Sequence, residues 1–508
     1  MDDTRGEVRP IHRESTFGPV LLLMAGRALA SVVTLLIPVI LARIFDQTEY
    51  GTYKQLFLLF ATLYSVALVG LSDSLYYFIP RDPPKSGRYA ANAMAGLALA
   101  GTACLAALCA ARHALADWMK NPALSDHLGA IGLFLLFTLA ATVLEIVLIA
   151  RKRYSLASSA YVVSDMARAG FFVLPVLLWP GLHSLMLGAV AFSALRLVAA
   201  LVMLKRELGA ELRLDLSLMR AQLAYALPFA LYVLVEIVQS TYHQYVVSWT
   251  FDAATFALYA VGCFQVPFVD FLATPASSVM MVRMGEELRE GRSAQALEVW
   301  LETTRKLAKV FFPMVALLMV CSREVMTVLF TERYAASAAI FVVWVLSIAF
   351  SVIQTDGVLR ALAQVPFLFF ANLVRLVLIV ALVQPLMTAF GLLGPVIVTL
   401  LGLFVAKALH LARMKRLLKL PVRDVLPWGA LAGVLGVSAV SAVPAMAVRV
   451  LMTTTHPLPR LVAESAAYGV TCVALLFAAG LVDPGERAML TRWLRVFEAR
   501  SLAPSRVE

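Results

Sequence analysis

The sequence predicts an all-α polytopic membrane protein with fourteen transmembrane helices, on three observations. The chain is 61% hydrophobic and 15% charged over 508 residues, whereas soluble globular proteins have roughly 45–50% apolar and 25% charged residues. Apolar runs of roughly 18 or more residues recur along most of the chain, and each can cross about 30 Å of hydrocarbon as a helix. Lysines and arginines cluster between these runs, which indicates membrane topology and excludes a nucleic-acid-binding face despite a net charge of +11.

The predicted spans, taken in order, cover residues 17–43, 52–79, 89–112, 128–150, 155–179, 184–204, 222–249, 256–282, 307–329, 337–359, 366–385, 392–412, 425–448 and 460–481. With an even number of spans, both termini lie on one side of the membrane. If that side is the cytoplasm, 31 of the 43 Lys and Arg residues fall on it and seven fall outside. This asymmetry supports the count and the orientation, since one missed helix would invert every later loop.

An internal repeat relates the two halves of the chain. The polar joint at residues 45–54 returns 206 residues later at 251–260, with Phe-Asp, an aromatic residue and Tyr at the same spacing. A second match, at an offset of 207, pairs Arg153, Asp165 and Arg168 with Arg360, Asn372 and Arg375. Six helices per repeat predict two parallel six-helix lobes related by a pseudo-two-fold axis along the membrane normal, with a substrate site between them.

The predicted domains follow from this repeat. They are a cytoplasmic tail (1–16), an N-lobe with spans 1–6 and a linker (17–221), a C-lobe with spans 7–12 and a linker (222–424), two added helices (425–481) and a cytoplasmic amphipathic tail (482–508). The inward connections 205–220, 283–309 and 407–423 mix charged and apolar residues. We expect them to form elbow helices at the cytoplasmic interface.

Charged side chains inside a bilayer are costly, so each is a functional candidate. Arg27 lies about ten residues into the first span, roughly 15 Å deep at 1.5 Å per residue. Arg27 is therefore either a residue that faces a bound anion or the structural partner of an acid such as Asp73. Lys54 lies near the outer end of its helix and is either a cavity residue or one that reaches the interface with its flexible stem.

The seventh span carries a polar stripe. Tyr232, Glu236, Gln239 and His243 follow spacings of 4, 3 and 4 and share one helical face. The stripe predicts either a cavity wall, where Glu236 or His243 exchanges a proton or binds a cation, or hydrogen bonding between helices. Asp270 on the next span is a further candidate for cation coupling.

Other intramembrane charges are expected to serve the fold. Asp165 and Arg168, three residues apart, can pair on their own helix, and the Arg375 echo suggests a structural charge pair at this position. Weaker candidates, expected to be paired or near an interface, are Asp73, Glu145, Arg196, Asp270, Asp356 and Glu464. Asp73 is also a candidate cavity residue. The sequence contains no phosphate loop, catalytic motif or metal-ligand spacing, so we predict no enzyme activity, no metal site and no cofactor beyond a coupling H⁺ or Na⁺.

Six short motifs stand out along the chain: residues 41–45 (LARIF), 49–53 (EYGTY), 70–74 (GLSDS), 78–81 (FIPR), 330–335 (FTERYA) and 358–364 (VLRALAQ). Together they resemble the oligosaccharide-lipid flippases of the multidrug/oligosaccharidyl-lipid/polysaccharide (MOP) exporter superfamily, the Wzx-type polysaccharide biosynthesis proteins. The resemblance implies fourteen helices around a V-shaped central cavity and alternating access driven by a cation gradient. The implied substrate is a polyprenyl-diphosphate-linked oligosaccharide moved to the outer leaflet for O-antigen or exopolysaccharide synthesis.

The resemblance also implies a bacterial inner membrane, contact with membrane lipids, and a polysaccharide polymerase and chain-length regulator as partners. An intramembrane arginine suits a diphosphate or an acidic sugar. Two alternatives remain within the superfamily: a peptidoglycan lipid-precursor flippase, which also has fourteen helices, and a multidrug antiporter, which typically has twelve. The non-transporter alternatives are a membrane glycan polymerase, disfavoured by the short outward loops, and a scaffold protein.

Overall fold

The computed structural model describes residues 35–68, 70–452, 456–483 and 486–487, excepting the side chains of 210 and 228–233. This part of the chain is helical and contains no strand. It divides into two compact units between Leu234 and Val235. The helices of the first unit are α1 (Leu35–Ile44), α2 (Gln47–Leu68), α3 (Ser74–Arg81), α4 (Ser86–Ala110), α5 (Arg112–Trp118), α6 (Leu124–Ala141), α7 (Val143–Ala150), α8 (Tyr154–Leu178) and α9 (Leu182–Leu208).

One long helix, α10 (Leu216–Thr250), carries the chain from the first unit into the second. The helices that follow are α11 (Ala253–Gly262), α12 (Pro267–Arg289), α13 (Ser293–Val320), α14 (Ser322–Phe330), α15 (Ser337–Trp344), α16 (Leu346–Phe350), α17 (Thr355–Ala361), α18 (Val365–Phe390), α19 (Leu393–Leu418), α20 (Val422–Val425), α21 (Trp428–Leu451) and α22 (Pro457–Ala478).

The fold is that of an integral membrane protein. Nine helices of the described part are long and apolar enough to cross a bilayer, and two bent pairs, α11–α12 and α13–α14, raise the number to eleven. The predicted spans from the second onward each coincide with a helix or an interrupted helix, although α2 and α10 do not meet this length and composition criterion. The count of fourteen therefore stays a prediction.

Several predicted spans are interrupted in the structure. The second span contains two helices, α2 and α3, separated by a turn in which Gly70 has a φ of +67°. A left-handed residue ends a helix, and glycine adopts this conformation without steric cost. The prediction missed the break because long apolar runs flank the short polar segment at Ser72, Asp73 and Ser74.

The prediction that the inward connections form separate elbow helices is wrong. Residues 293–309 form the first part of α13, which continues into the membrane span, and residues 407–418 form the end of α19. Their apolar faces are buried against neighbouring helices. Trp300, for example, is fully buried and donates from Nε1 to the carbonyl of Val425, 2.9 Å away on α20.

The repeated joint has the same local structure at both positions. Asp46 accepts a hydrogen bond from the backbone N–H of Glu49 at 2.8 Å, and Asp252 accepts one from Thr255 at 3.1 Å. Each aspartate thereby satisfies a free N–H group at the start of a helix, α2 or α11. The predicted offset of 206 thus corresponds to two equivalent helix starts.

The second match is less regular. The left-handed residues just before α8 and α18 are Lys152 and Ala363, which lie 211 residues apart. An offset of 207 therefore leaves the two helix starts about one turn out of register. Arg168 and Arg375 consequently lie at different depths within their helices.

The first unit packs around α6. Its buried apolar core includes Leu75 of α3, Leu97 of α4, Leu139 of α6 and Leu204 of α9. A partly buried ion pair joins α9 to α7 in this unit, where Arg196 donates to the buried Glu145 at 2.7 Å. The sequence predicts both residues to be paired or near an interface, and the structure pairs them with each other.

A single glycine allows α8 and α9 to pack closely. A Cβ added at Gly188 would lie 1.9 Å from the carbonyl oxygen of Phe171. We expect Gly188→Ala to reduce the free energy of unfolding by about 3 kcal/mol, because the backbone must separate. Gly170→Ala on α8 is the matched control, since a Cβ there has no neighbour within 4 Å. Thermal unfolding in detergent measures both variants, and equal midpoints would contradict this account of the packing.

Candidate functional site

The second unit contains a cavity of about 650 Å³ with charged walls. It is enclosed by residues of α10, α12, α15–α19 and the α11–α12 connection. Among the described residues, six ionisable side chains line it, three acidic and three basic: Glu236, Asp270, Asp356, Arg360, Arg375 and Lys407. Charges of both signs in a membrane helix bundle are expensive, so this cavity is the strongest candidate site in the unit.

Interrupted helices form part of the wall. The connection between α11 and α12, residues 263–266, bends the chain by 48° and places Phe264, Gln265 and Val266 at the cavity. Between α16 and α17, Ser351 and Gln354 line the cavity, and Gln354 donates from Nε2 to the Ser351 carbonyl at 2.6 Å. Non-helical backbone is tolerated at membrane depth where it faces a polar cavity, so both breaks are consistent with a hydrated site.

A three-residue ionic cluster joins α17 to α19. Lys407 Nζ lies 2.8 Å from Asp356 Oδ2, and His410 Nδ1 lies 3.2 Å from Asp356 Oδ1. The Thr355 hydroxyl also contacts His410 Nδ1, at 3.0 Å. The His410 side chain is 2% exposed, whereas that of Asp356 is 48% exposed and faces the cavity. One carboxylate at the cavity wall thus contacts both a lysine of the wall and a buried histidine.

Arg375 on α18 projects into the same cavity without an ion pair. No acidic oxygen of the described residues lies within 4.0 Å of it, and its buried Nε has no hydrogen-bond partner there. Asp356 and Glu236 attract it only from longer range. Gly402 on α19 makes room for its stem, since a Cβ at Gly402 would lie 3.1 Å from Arg375 Cγ. The Arg375 guanidinium is therefore available to bind an anion that enters the cavity.

The predicted polar stripe on α10 divides between two roles. Glu236 lines the cavity, as does Asp270 on α12. Gln239 is buried and donates to the Asn372 carbonyl at 2.9 Å, and His243 is buried with Nδ1 2.7 Å from the Tyr259 hydroxyl. Both of these residues connect helices and neither lines the cavity, while the side chain of Tyr232 lies outside the described residues.

The candidates of the first unit do not form one site in the described part of the chain. Arg27 lies outside the described residues. Lys54 is half-buried on α2 with its ammonium 5.4 Å from the ring centre of Tyr50 and 5.5 Å from that of Tyr53. Asp73 is exposed at the start of α3 and its side chain caps no N–H group. Lys54 is thus a cation held among aromatic rings.

The two arginines equated by the repeat have different surroundings. Arg168 forms an ion pair with Asp165 at 2.6 Å, as the sequence predicts. Arg375 instead lines the cavity, where its repeat partner for Asp165 is the uncharged Asn372. The structural charge pair is therefore found at Asp165–Arg168, while Arg375 has the geometry of a binding residue.

Sequence reasoning ranked Asp356 low and counted Lys407 with the inward basic residues. Lys407 and His410 are three residues apart on an apolar helix, so they share a face. That spacing could have indicated that the two residues act together. Their acidic partner, however, lies 51 residues away on α17, and only tertiary packing brings the groups together.

An apolar groove adjoins the charged cavity. It has a volume of about 740 Å³ and is lined mainly by α13, α19, α20 and α21, including Phe312, Phe404, Leu411 and Trp428. Phe350 and Lys407 line both the groove and the cavity. The two spaces therefore share a wall, with a lysine between a polar compartment and an apolar one.

Comparison with known proteins identifies the family. A model of polysaccharide biosynthesis proteins matches residues 40–339, which is more than half of the chain. The chain belongs to the polysaccharide biosynthesis protein family. The predicted relation to this group of membrane transporters is confirmed. No curated protein sequence matches the chain.

Solved structures of MOP transporters share the fold of this family member. A structure described as the lipid II flippase MurJ in an inward closed conformation aligns with a TM-score of 0.71 at 12% identity, covering 90% of this chain and 99% of that one. An inward-facing MATE-family multidrug resistance transporter of the MOP superfamily gives 0.57 at 14% identity, covering 77% and 95%. A MOP superfamily transporter from Pyrococcus furiosus gives 0.55 at 14% identity, covering 79% and 95%.

Proposed function

We propose that the protein moves a polyprenyl-diphosphate-linked oligosaccharide from the cytoplasmic to the outer leaflet of a bacterial inner membrane, by alternating access. Membership of the polysaccharide biosynthesis family supports this class of substrate. The observation that carries the proposal is the junction at Phe350 and Lys407 between a charged cavity and an apolar groove. An amphiphile with an acidic head and a hydrocarbon tail matches both compartments.

The charges of the cavity support an anionic head group. Arg360, Arg375 and Lys407 offer guanidinium and ammonium donors, and Arg375 has no ionic partner within 4.0 Å among the described residues. Arginine binds phosphate oxygens through two parallel N–H donors, which gives orientation as well as affinity. We place both termini in the cytoplasm, in keeping with the distribution of basic residues.

A peptidoglycan lipid precursor is the second candidate substrate. It is favoured by the likeness to a lipid II flippase, which has a TM-score of 0.71. A peptidoglycan precursor also carries a polyprenyl diphosphate, so the same cavity chemistry applies. The sugars distinguish the two substrates. Multidrug transport is less favoured, because Arg375 forms no ion pair within 4.0 Å among the described residues and its positive charge repels an organic cation.

Ligand selectivity tests this proposal. Purified protein in detergent is mixed with equal amounts of an undecaprenyl-diphosphate oligosaccharide, lipid II, a zwitterionic phospholipid and ethidium, and bound species are measured by native mass spectrometry. We expect retention of the diphosphate oligosaccharide and its loss in Arg375→Ala. Preferential retention of lipid II would assign the peptidoglycan precursor, and preferential retention of ethidium would contradict a lipid-diphosphate transporter.

A further inference from the structure

Lys407 faces the candidate site and is already engaged in an ion pair with Asp356. Lys407 Nζ lies 2.8 Å from Asp356 Oδ2, and their side chains are 15% and 48% exposed. Both residues line the charged cavity. An anionic head group that enters the cavity must compete with Asp356 for this ammonium, and the flexible lysine stem allows the exchange.

Arg360 and Arg375 face the same space with no carboxylate within 4.0 Å among the described residues. They can bind an anion without breaking an ion pair. Bound there, the anion also offsets the positive charges that stabilise ionised Asp356. If Lys407 leaves, the Asp356 carboxylate remains beside a newly bound anion with little positive charge to compensate it. This state is unfavourable unless the carboxylate is neutralised.

The charged groups around Asp356 are set by the elements packed on α17. They are Lys407 and His410 from α19, Arg375 from α18, Arg360 from α17 itself, and Asp270 from α12, with Glu236 of α10 across the cavity. His410 is held by Thr355 and Asp356 through Nδ1, and its buried Nε2 has no partner in the described part of the chain. Asp356 is the acid closest to the exchangeable lysine.

We propose that Lys407 is a head-group-binding residue that is released from Asp356 when the anion binds, and that Asp356 takes up a proton in the same step. The ammonium of Lys407 moves from the carboxylate to the anion, a water-borne proton binds an Asp356 oxygen, and His410 positions that carboxyl group. The O–H bond formed on Asp356, with the proton supplied by solvent, is the one covalent change in this step. The inference rests on the proposed function and adds a residue and a protonation step to it.

A consequence concerns the coupling ion. Anion and proton bind together, so by linkage a lower pH strengthens anion binding and anion binding promotes proton uptake. A proton that travels with the anion leaves the cell during export. Protons at this site therefore do not drive export by entering the cell; they make head-group binding dependent on pH.

Calorimetry measures this linkage directly. Geranyl diphosphate is titrated into the purified full-length protein near neutral pH in two buffers of different ionisation enthalpy, and octyl glucuronide serves as a second arm with a sugar carboxylate instead of a diphosphate. We expect uptake of close to one proton per bound diphosphate in the wild type. Uptake with the glucuronide alone would assign the head-group chemistry to an acidic sugar.

Variants locate the proton. Asp356→Asn should bind the diphosphate with almost no proton uptake, Asp356→Glu should retain uptake, and Lys407→Gln should weaken binding about tenfold or more, as expected from the loss of one charge-assisted bond. Arg416→Gln, an exposed position on α19, is the control and should match the wild type. Uptake that persists in Asp356→Asn overturns the assignment.

A measurement on the wild-type protein tests the inference even if Asp356→Asn does not fold. Infrared difference spectra should show a protonated carboxyl band when geranyl diphosphate binds to the wild-type protein. Binding without that band and without proton uptake overturns this inference alone. No binding of either anion would overturn the proposed function together with it, so the two failures are distinguishable.

Discussion

Replacing Arg375 with alanine should reduce transport of a lipid-linked diphosphate by about a hundredfold, the factor expected from losing strong bonds to a charged group. The guanidinium has no ion pair in the described part of the chain, so its removal leaves no carboxylate unpaired and should not destabilise the fold. Transport into proteoliposomes and thermal unfolding are measured together. The expected result is lost transport with an unchanged unfolding midpoint.

Two further variants separate charge from geometry at this position. Arg375→Lys keeps the charge but loses the planar pair of donors, so we expect intermediate transport. Arg416→Ala removes an exposed arginine from α19 and should leave transport intact. If Arg375→Ala transported like the wild type, the cavity of the second unit would not be the head-group site.

The second large effect concerns the attachment of the last two helices. Glu324 on α14 is 1% exposed and lies 3.3 Å from Arg460 Nη1 on α22 and 3.8 Å from Arg449 Nε on α21. One carboxylate therefore links both helices to α14. Glu324→Gln removes, at a buried position, the negative charge that these two arginines share, which should cost on the order of 3 kcal/mol.

Thermal unfolding in detergent tests this, with Glu332→Gln as the matched control. Glu332 pairs with Arg323 at 3.2 Å, but both side chains are more than half exposed. An exposed pair contributes about 0–1 kcal/mol, so the control should barely move the unfolding midpoint. Equal midpoints for the two variants would show that the Glu324 cluster does not hold α21 and α22 in place.

The helices of this protein could be predicted from sequence because long apolar runs are a local signal. Spans such as 155–179 and 366–385 coincide with α8 and α18 within a few residues. The interruptions could not be predicted in the same way. The turn at Gly70 and the break before Thr355 are short polar interruptions of long apolar runs, and their stability depends on the surrounding helices and the cavity.

The candidate site was only partly predictable. The sequence predicts Glu236 as a cavity residue and Asp270 as a candidate for cation coupling, because an acid in a membrane span needs a polar environment. Both side chains line the cavity, and the coupling role of Asp270 stays a prediction. His243 shares a helical face with Glu236, yet periodicity does not reveal which neighbour covers each turn, and Tyr259 is the partner of His243. The association of Asp356 with Lys407 needs the packing of α17 on α19, which no local pattern encodes.

Translocation is the most direct test of the central claim. The protein is reconstituted into liposomes with a fluorescent undecaprenyl-diphosphate oligosaccharide in one leaflet, and its appearance in the other leaflet is followed with a membrane-impermeant quencher. The account predicts protein-dependent translocation that Arg375→Ala abolishes. Equal rates with and without the protein, under imposed H⁺, Na⁺ and voltage gradients, would contradict it.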